Sequence, residues 1–153
     1  MTGSPRLDYA KASPGGYRAM LALEAHVASS GFDRKLLELI KTRASQINSC
    51  AFCIDMHSKD ARHAGESEQR LYGLSAWREA PYYTARERAA LAWTEAVTRL
   101  DGDIGDDLYD ALKAEFSDGE IADLTFAIVL INGWNWLAVP FRVPAGTHTP
   151  GED

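Results

Sequence analysis

The sequence lacks several features that mark whole classes of protein. No block of Lys and Arg stands out, and the 153 residues carry a formal net charge of -6 with a pI near 5.2. We therefore expect neither nucleic acid nor an anionic membrane surface as a partner. The first ten residues contain no apolar run of the kind that a secretory signal requires. A cytoplasmic location is the expectation.

Long apolar runs are also scarce. The most apolar segment extends from Ile121 to Val139, and it is interrupted by four polar residues, Asp123, Thr125, Asn132 and Asn135. Buried polar groups of this kind need partners inside the protein. The segment is therefore predicted to be a buried core or interface helix and not a membrane span.

Internal repeats and alternating β-branched runs are absent, whereas helical patterns fill most of the chain. The sequence predicts an all-α fold, a bundle of about seven helices in a domain over residues 14–143. Residues 1–13 and 144–153 are predicted to be flexible ends. Helix-start and helix-stop signals support these boundaries: Ser13-Pro14, Asp33, Ser67, Thr84 with Glu87, Ser117 with Glu120, and Pro140.

Only two cysteines are present, Cys50 and Cys53, and they are three residues apart. A bridge across two intervening residues closes almost no loop, so it would add little to stability. Two neighbouring thiols in a reducing compartment indicate redox or metal chemistry instead. This pair is the most informative feature of the sequence.

The surroundings of the two cysteines favour redox chemistry. A helix is predicted from Cys50 to about His63, and a cap at Asn48 or Ser49 would put Cys50 in its first turn, where the helix dipole favours a thiolate. His57 follows Cys53 by four residues, so the three side chains share one helix face. The imidazole of His57 can then accept the thiol proton of Cys53.

Glu38 is predicted to be a fourth member of the site. If the chain reverses at Asn48-Ser49 into a helical hairpin, position 38 lies about one turn from His57. A carboxylate there could orient the imidazole and stabilise its charged form.

Other interpretations of these residues are weaker. Zinc needs four ligands, and the six-residue spacing of His57 and His63 points them to different helix faces. Neither a metal nor another cofactor is therefore expected. His26, His63 and His148 have no match in phase to the cysteines and are interpreted as structural or surface groups.

The residues around the site resemble the carboxymuconolactone decarboxylase superfamily, in its alkylhydroperoxidase AhpD-like branch. The pattern is Glu38, eleven residues, Cys50-Ala-Phe-Cys53, three residues and His57. Three further segments are also similar in sequence to the family: Gln69-Arg-Leu-Tyr, Trp77-Arg-Glu-Ala-Pro and Glu87-Arg-Ala-Ala-Leu-Ala-Trp-Thr-Glu. The resemblance extends over roughly residues 17–141.

The resemblance implies an all-helical protein, a homo-oligomer (trimer or hexamer), that reduces hydroperoxides. Cys53 would be the peroxidatic thiol, deprotonated through His57 and Glu38, and would become a sulfenic acid. Cys50 would then form a disulfide with it, which a thiol reductant, a protein or a small thiol, reopens.

Two departures from the family pattern affect these expectations. Some members have a histidine where this chain has Phe52, and close relatives tend to have an arginine in place of Trp136. Three functions stay open at this point: an antioxidant hydroperoxide reductase, a thiol–disulfide exchanger or redox sensor, and an assembly module with inert cysteines.

Overall fold

The computed structural model describes residues 3–151, which contain eight α-helices, one 3-10 helix and no strand. The predicted all-α class is confirmed. The bounds of the elements are α1 Tyr9–Ala12, α2 Pro14–Ala28, α3 Arg34–Ile47, α4 Ala51–His63, α5 Glu68–Tyr72, the 3-10 helix Leu74–Ala76, α6 Ala85–Arg99, α7 Asp106–Glu115 and α8 Asp118–Phe141.

Local sequence signals explain most helix starts. Thr84 and Ser117 each form a complete capping box with the glutamate three residues later, as predicted. Ser67 caps α5, and Pro14 is the first residue of α2. The count of about seven was one short because α1 is a single turn that carries no periodic apolar pattern.

The core lies where α8 packs against α2, α3, α4, α6 and α7. Its fully buried residues include Ile40 of α3, Leu91 of α6 and Leu124, Ile128 and Ile131 of α8. By length and composition alone, α8 could cross a membrane, since its most apolar 18-residue window has a mean hydropathy of 1.5. Its packing against those helices gives it the place of a core helix.

A buried carboxylate joins α3, the 3-10 helix and α6. Glu95 is 2% exposed, and its Oε1 accepts hydrogen bonds from Arg43 Nε at 2.8 Å and Trp77 Nε1 at 3.0 Å. Its Oε2 contacts the guanidinium groups of Arg78 and Arg99. Burial alone raises the pKa of Glu95, but these hydrogen bonds and the Arg43 charge outweigh it and lower the pKa to about 2.

Both segments outside the predicted domain contact the helical bundle. Arg6 N donates to Phe141 O at 2.8 Å, and Gly146 N donates to Asp55 Oδ2 at 3.1 Å. The predicted flexibility of residues 1–13 and 144–153 stays a prediction, and residues 1–2 and 152–153 lie outside the described part of the chain. The contacts show that the two segments take part in the architecture.

The substitution Glu95→Gln tests how much this buried carboxylate contributes to the free energy of unfolding. Because the folded-state pKa is depressed, its stabilisation is fully present above about pH 4.5 and is lost as the pH falls towards 2. We expect the variant to unfold on the order of 3 kcal/mol more easily at pH 7 and to lose this part of the acid sensitivity. Urea unfolding at pH 7, 4 and 3 measures both effects. The exposed Glu79→Gln serves as the control; equal effects of the two substitutions would contradict the assignment.

Candidate active site

The chain reverses between α3 and α4 in three residues. Asn48 ends α3, Ser49 has a left-handed backbone with φ 55°, and Cys50 is extended with φ -87°. Cys50 is thus the N-cap of α4, one position before the first turn in which it was predicted to lie. Ser49 cannot be the N-cap because its backbone is left-handed, so the cap position falls to Cys50.

Side-chain amides bind this reversal to α8. Asn48 Nδ2 donates to Oδ1 of Asn132 at 2.8 Å and to Oδ1 of Asn135 at 2.9 Å. Asn135 Nδ2 in turn donates to Ser45 Oγ at 3.1 Å, and Asn132 Nδ2 donates to Thr98 Oγ1 at 3.1 Å. The two asparagines that interrupt the apolar segment therefore position the turn that carries the cysteines.

Cys50 and Cys53 form a disulfide, with Cα atoms 5.3 Å apart. Cys50 Sγ also accepts the backbone N–H of Cys53 at 3.3 Å. The two cysteines are 1% and 0% exposed and pack against Ala44, Ile131 and Ala138. The structure thus describes the oxidised pair, held in the interior at the start of α4.

The predicted pairing of Glu38 with His57 is present. His57 Nδ1 lies 2.8 Å from Glu38 Oε2, and both side chains are buried. The carboxylate can only accept, so Nδ1–H donates and the neutral imidazole keeps Nε2 as its proton acceptor. His57 lies one turn after Cys53 on α4. The imidazole of His57 therefore lies between the carboxylate of Glu38 and the position of Cys53 along the helix. The catalytic roles of Glu38, Cys50, Cys53 and His57 stay predictions.

A cavity of about 780 Å³ opens beside Cys53 and His57. One wall is aromatic: the ring centroids of Tyr9 and Tyr17 lie 6.3 Å apart, and that of Trp134 lies 6.0 Å from Tyr17. The other apolar lining residues are Leu21, Ala28, Phe32, Leu37, Phe52, Met56 and Ala138. The space suits an organic molecule more than a solvated small ion.

An ion pair borders the same cavity. Lys41 Nζ donates to Glu24 Oε1 at 3.0 Å, and Trp134 Nε1 donates to Glu24 Oε2 at 2.9 Å. Burial alone raises the pKa of Glu24, but the Lys41 charge and the hydrogen bonds from Lys41 and Trp134 outweigh it and lower the pKa. Glu24 therefore stays ionised at neutral pH and holds Lys41 and Trp134 in place.

Two further residues at the cavity were missed from the sequence. Asp60 lies three residues after His57, on the same face of α4, and that spacing could have indicated it. His148 Nε2 lies 2.7 Å from Asp60 Oδ1, so this histidine, interpreted from the sequence as a structural or surface group, lines the cavity. No local signal could place it there, because 88 residues separate it from Asp60.

The two departures from the family pattern have different outcomes. Phe52 lines the cavity. Trp136 does not line it and is 64% exposed on α8, while Trp134, two residues earlier, faces the cavity. The departure at position 136 therefore does not change the lining of this cavity within the chain.

The model of the carboxymuconolactone decarboxylase family matches residues 14–96, more than half of the chain. The chain belongs to this family, in its AhpD-like branch. YdfG of Bacillus subtilis (strain 168), an uncharacterized protein, is 40% identical over 137 residues, which cover 89% of this chain and 93% of YdfG.

Solved structures of other proteins have the same fold as this chain. ATU0492 of Agrobacterium tumefaciens, a protein of unknown function linked to the antioxidant defence protein AhpD, is 49% identical. Its TM-score is 0.90, with 95% of this chain and 100% of that chain covered. The debrominase Bmp8 is 17% identical with a TM-score of 0.81, over 90% of this chain and 74% of that chain. At that identity the second likeness concerns the fold alone.

Replacing Asn48→Ala tests the attachment of the turn to α8. The change leaves the Oδ1 atoms of Asn132 and Asn135 without their donor, and we expect a loss of about 2–3 kcal/mol in the free energy of unfolding. Ser49→Gly in the same turn is the matched control, because glycine adopts the left-handed conformation freely and should preserve stability or raise it. Chemical denaturation measures both; equal stability of Asn48→Ala and the native chain would contradict the role of the network.

Proposed function

We propose that this protein is an antioxidant enzyme that reduces organic hydroperoxides with the thiols of Cys50 and Cys53. The observation that carries the proposal is the 2.8 Å contact of Glu38 with His57, one turn from Cys53 and beside a largely apolar cavity. A carboxylate-oriented imidazole is a suitable base for a thiol. The family likewise includes enzymes, which supports the coarser part of the proposal.

The proposed reaction balances without a cofactor. His57 takes the thiol proton of Cys53, and the thiolate attacks one oxygen of ROOH. A sulfur–oxygen bond forms, the O–O bond breaks, and RO⁻ leaves and takes up a proton to give ROH. Cys50 S–H then condenses with the Cys53 sulfenic acid, which forms the disulfide and releases water. The thiols lose two electrons and the peroxide gains them.

The burial of both sulfurs favours a small substrate. With exposures of 1% and 0%, neither sulfur offers a surface to a folded protein, whereas Cys53 lines the cavity. We propose that the hydroperoxide enters there, and that the reductant is a small thiol or a protein thiol presented on a narrow segment. Such a reversible pair works in a reducing compartment, which supports a cytoplasmic location.

The second candidate is a thiol–disulfide exchanger or redox sensor. The disulfide at the start of α4, with Cys50 as the N-cap, favours it because helix N-termini stabilise a leaving thiolate. In that case the reduced pair would react readily with a disulfide donor and slowly with hydroperoxides.

A thiol titration before and after a short pulse of tert-butyl hydroperoxide tests the main proposal. We expect the native chain to lose two thiols faster than free cysteine, Cys53→Ser to lose none, and Cys50→Ser to accumulate a sulfenic acid. Glu38→Gln, which has nearly the same shape, should slow the reaction about 10²-fold, since the imidazole loses its orienting carboxylate. Normal kinetics in Cys53→Ser would rule the mechanism out.

We also propose a homo-oligomer built on α8. Phe126, Val129, Trp136 and Val139 recur at spacings of three and seven along this helix, and all four are at least 46% exposed. Side chains at these spacings share one helix face. A second copy of the chain is the proposed occupant, since the face continues the helix that builds the core.

Trp136→Glu tests this interface. A charge at the centre of a buried apolar contact is costly, so we expect the native chain to sediment as an oligomer and the variant to shift towards the monomer. Tyr72→Glu, which alters an equally large exposed residue outside α8, is the control. Monomeric native chain at tens of micromolar would contradict the proposal.

A further inference from the structure

The cavity holds a second carboxylate–imidazole pair. His148 Nε2 lies 2.7 Å from Asp60 Oδ1, and their side chains are 14% and 15% exposed. Both residues line the same cavity as Cys53 and His57. The chemistry described above assigns a base to the thiol and leaves this second pair without a role.

The second pair is continuous with the first. One nitrogen or oxygen atom each of Glu38, His57 and Asp60 lies within 4.8 Å of the others. One water molecule bridges such a distance between polar groups. Glu38, His57, Asp60 and His148 therefore form one continuous row of polar groups along the cavity.

The segment that carries His148 is attached to α4 at several points. Gly146 N donates to Asp55 Oδ2 at 3.1 Å, and Lys59 Nζ donates to the carbonyl oxygen of His148 at 3.2 Å. Lys59 also pairs with Asp55 at 2.9 Å. The backbone is thus bound on both sides of the imidazole, which fixes where the ring lies.

We propose that His148, held by Asp60, is the group that protonates the departing oxygen of the hydroperoxide. The inference rests on the proposed function. Breaking the O–O bond produces an alkoxide, a strong base that a positioned imidazolium neutralises as it forms. His57 gives the proton from Cys53 up to water in the cavity, and His148 takes a proton back from water at Nδ1, because Nε2 already holds the proton shared with Asp60. The cycle closes with no net proton gained or lost.

The two imidazoles therefore divide the work. His57 acts on the thiol from within α4, and His148 acts on the substrate from the segment that follows α8. Asp60 is a positioning residue, because it acts through His148. The other charged or titratable groups that face the cavity are Tyr9, Tyr17, Glu24, Arg34, Glu38 and Lys41, and Asp55 and Lys59 hold the segment.

Two reactions of the same thiol separate a proton donor from a structural residue. Oxidation of reduced Cys53 by tert-butyl hydroperoxide expels an alkoxide, which needs a proton. Alkylation of the same sulfur by iodoacetamide expels iodide, which needs none. We expect His148→Gln to lower the oxidation rate constant about 10²-fold and to leave the alkylation rate constant unchanged.

The matched control is His26→Gln. His26 forms a comparable pair with Asp123, at 2.9 Å, on the surface away from the cavity. Both rate constants should be unchanged in this variant. Asp60→Asn should lower the oxidation rate constant by less than His148→Gln does and should also leave alkylation unchanged.

Three outcomes decide the matter. If oxidation and alkylation slow equally in His148→Gln, the residue only shapes the cavity and the inference is wrong. If the native chain is active and His148→Gln is oxidised at the same rate, the inference is wrong but the proposed function stands. A native chain that reacts no faster than free cysteine contradicts the proposed function as well. Added imidazole should restore oxidation in His148→Ala, which guards against a folding defect as the cause.

Discussion

Ser49 adopts a left-handed backbone conformation between two helices, and the geometry of the whole site depends on that reversal. For a residue with a side chain this conformation costs about 1–2 kcal/mol. The Asn48 amide offsets the cost through its bonds to Asn132 and Asn135 on the central helix. A turn held in this way fixes the register of α3 against α4. Register then determines that Glu38, and not a neighbour, meets His57.

The same reversal determines what each cysteine experiences. Cys50 lies before the first turn of α4, and its sulfur accepts a backbone N–H that would otherwise be unpaired. Cys53 lies inside the helix, next to the cavity and one turn from His57. Two identical side chains three residues apart thus have different environments. That difference is what a division into attacking and resolving thiols requires.

Local patterns in the sequence were sufficient for every α-helix except α1 and for the centre of the site. Capping boxes at Thr84 and Ser117 act over three residues, and the phase relation of Cys53 to His57 needs only a helix. Glu38 required one added assumption, the hairpin. Tyr9 and His148 could not be predicted, since each reaches the cavity from a chain end through contacts with residues far away in sequence. Cys50 was placed one position too far into the helix, because no propensity rule predicted the conformation of Ser49.

The two chain ends consequently have more influence on the cavity than their composition suggests. Tyr9 adds its ring to the wall formed by Tyr17 and Trp134, and burial raises its pKa, so it stays a neutral apolar surface with a hydroxyl. His148 adds an ionisable group on another side. The helical domain supplies Cys50, Cys53 and His57, and the two ends complete the enclosure of the cavity. If the proposed function holds, relatives that share the cysteines and His57 but differ at these ends would share the attack on a peroxide and differ in which peroxide they accept.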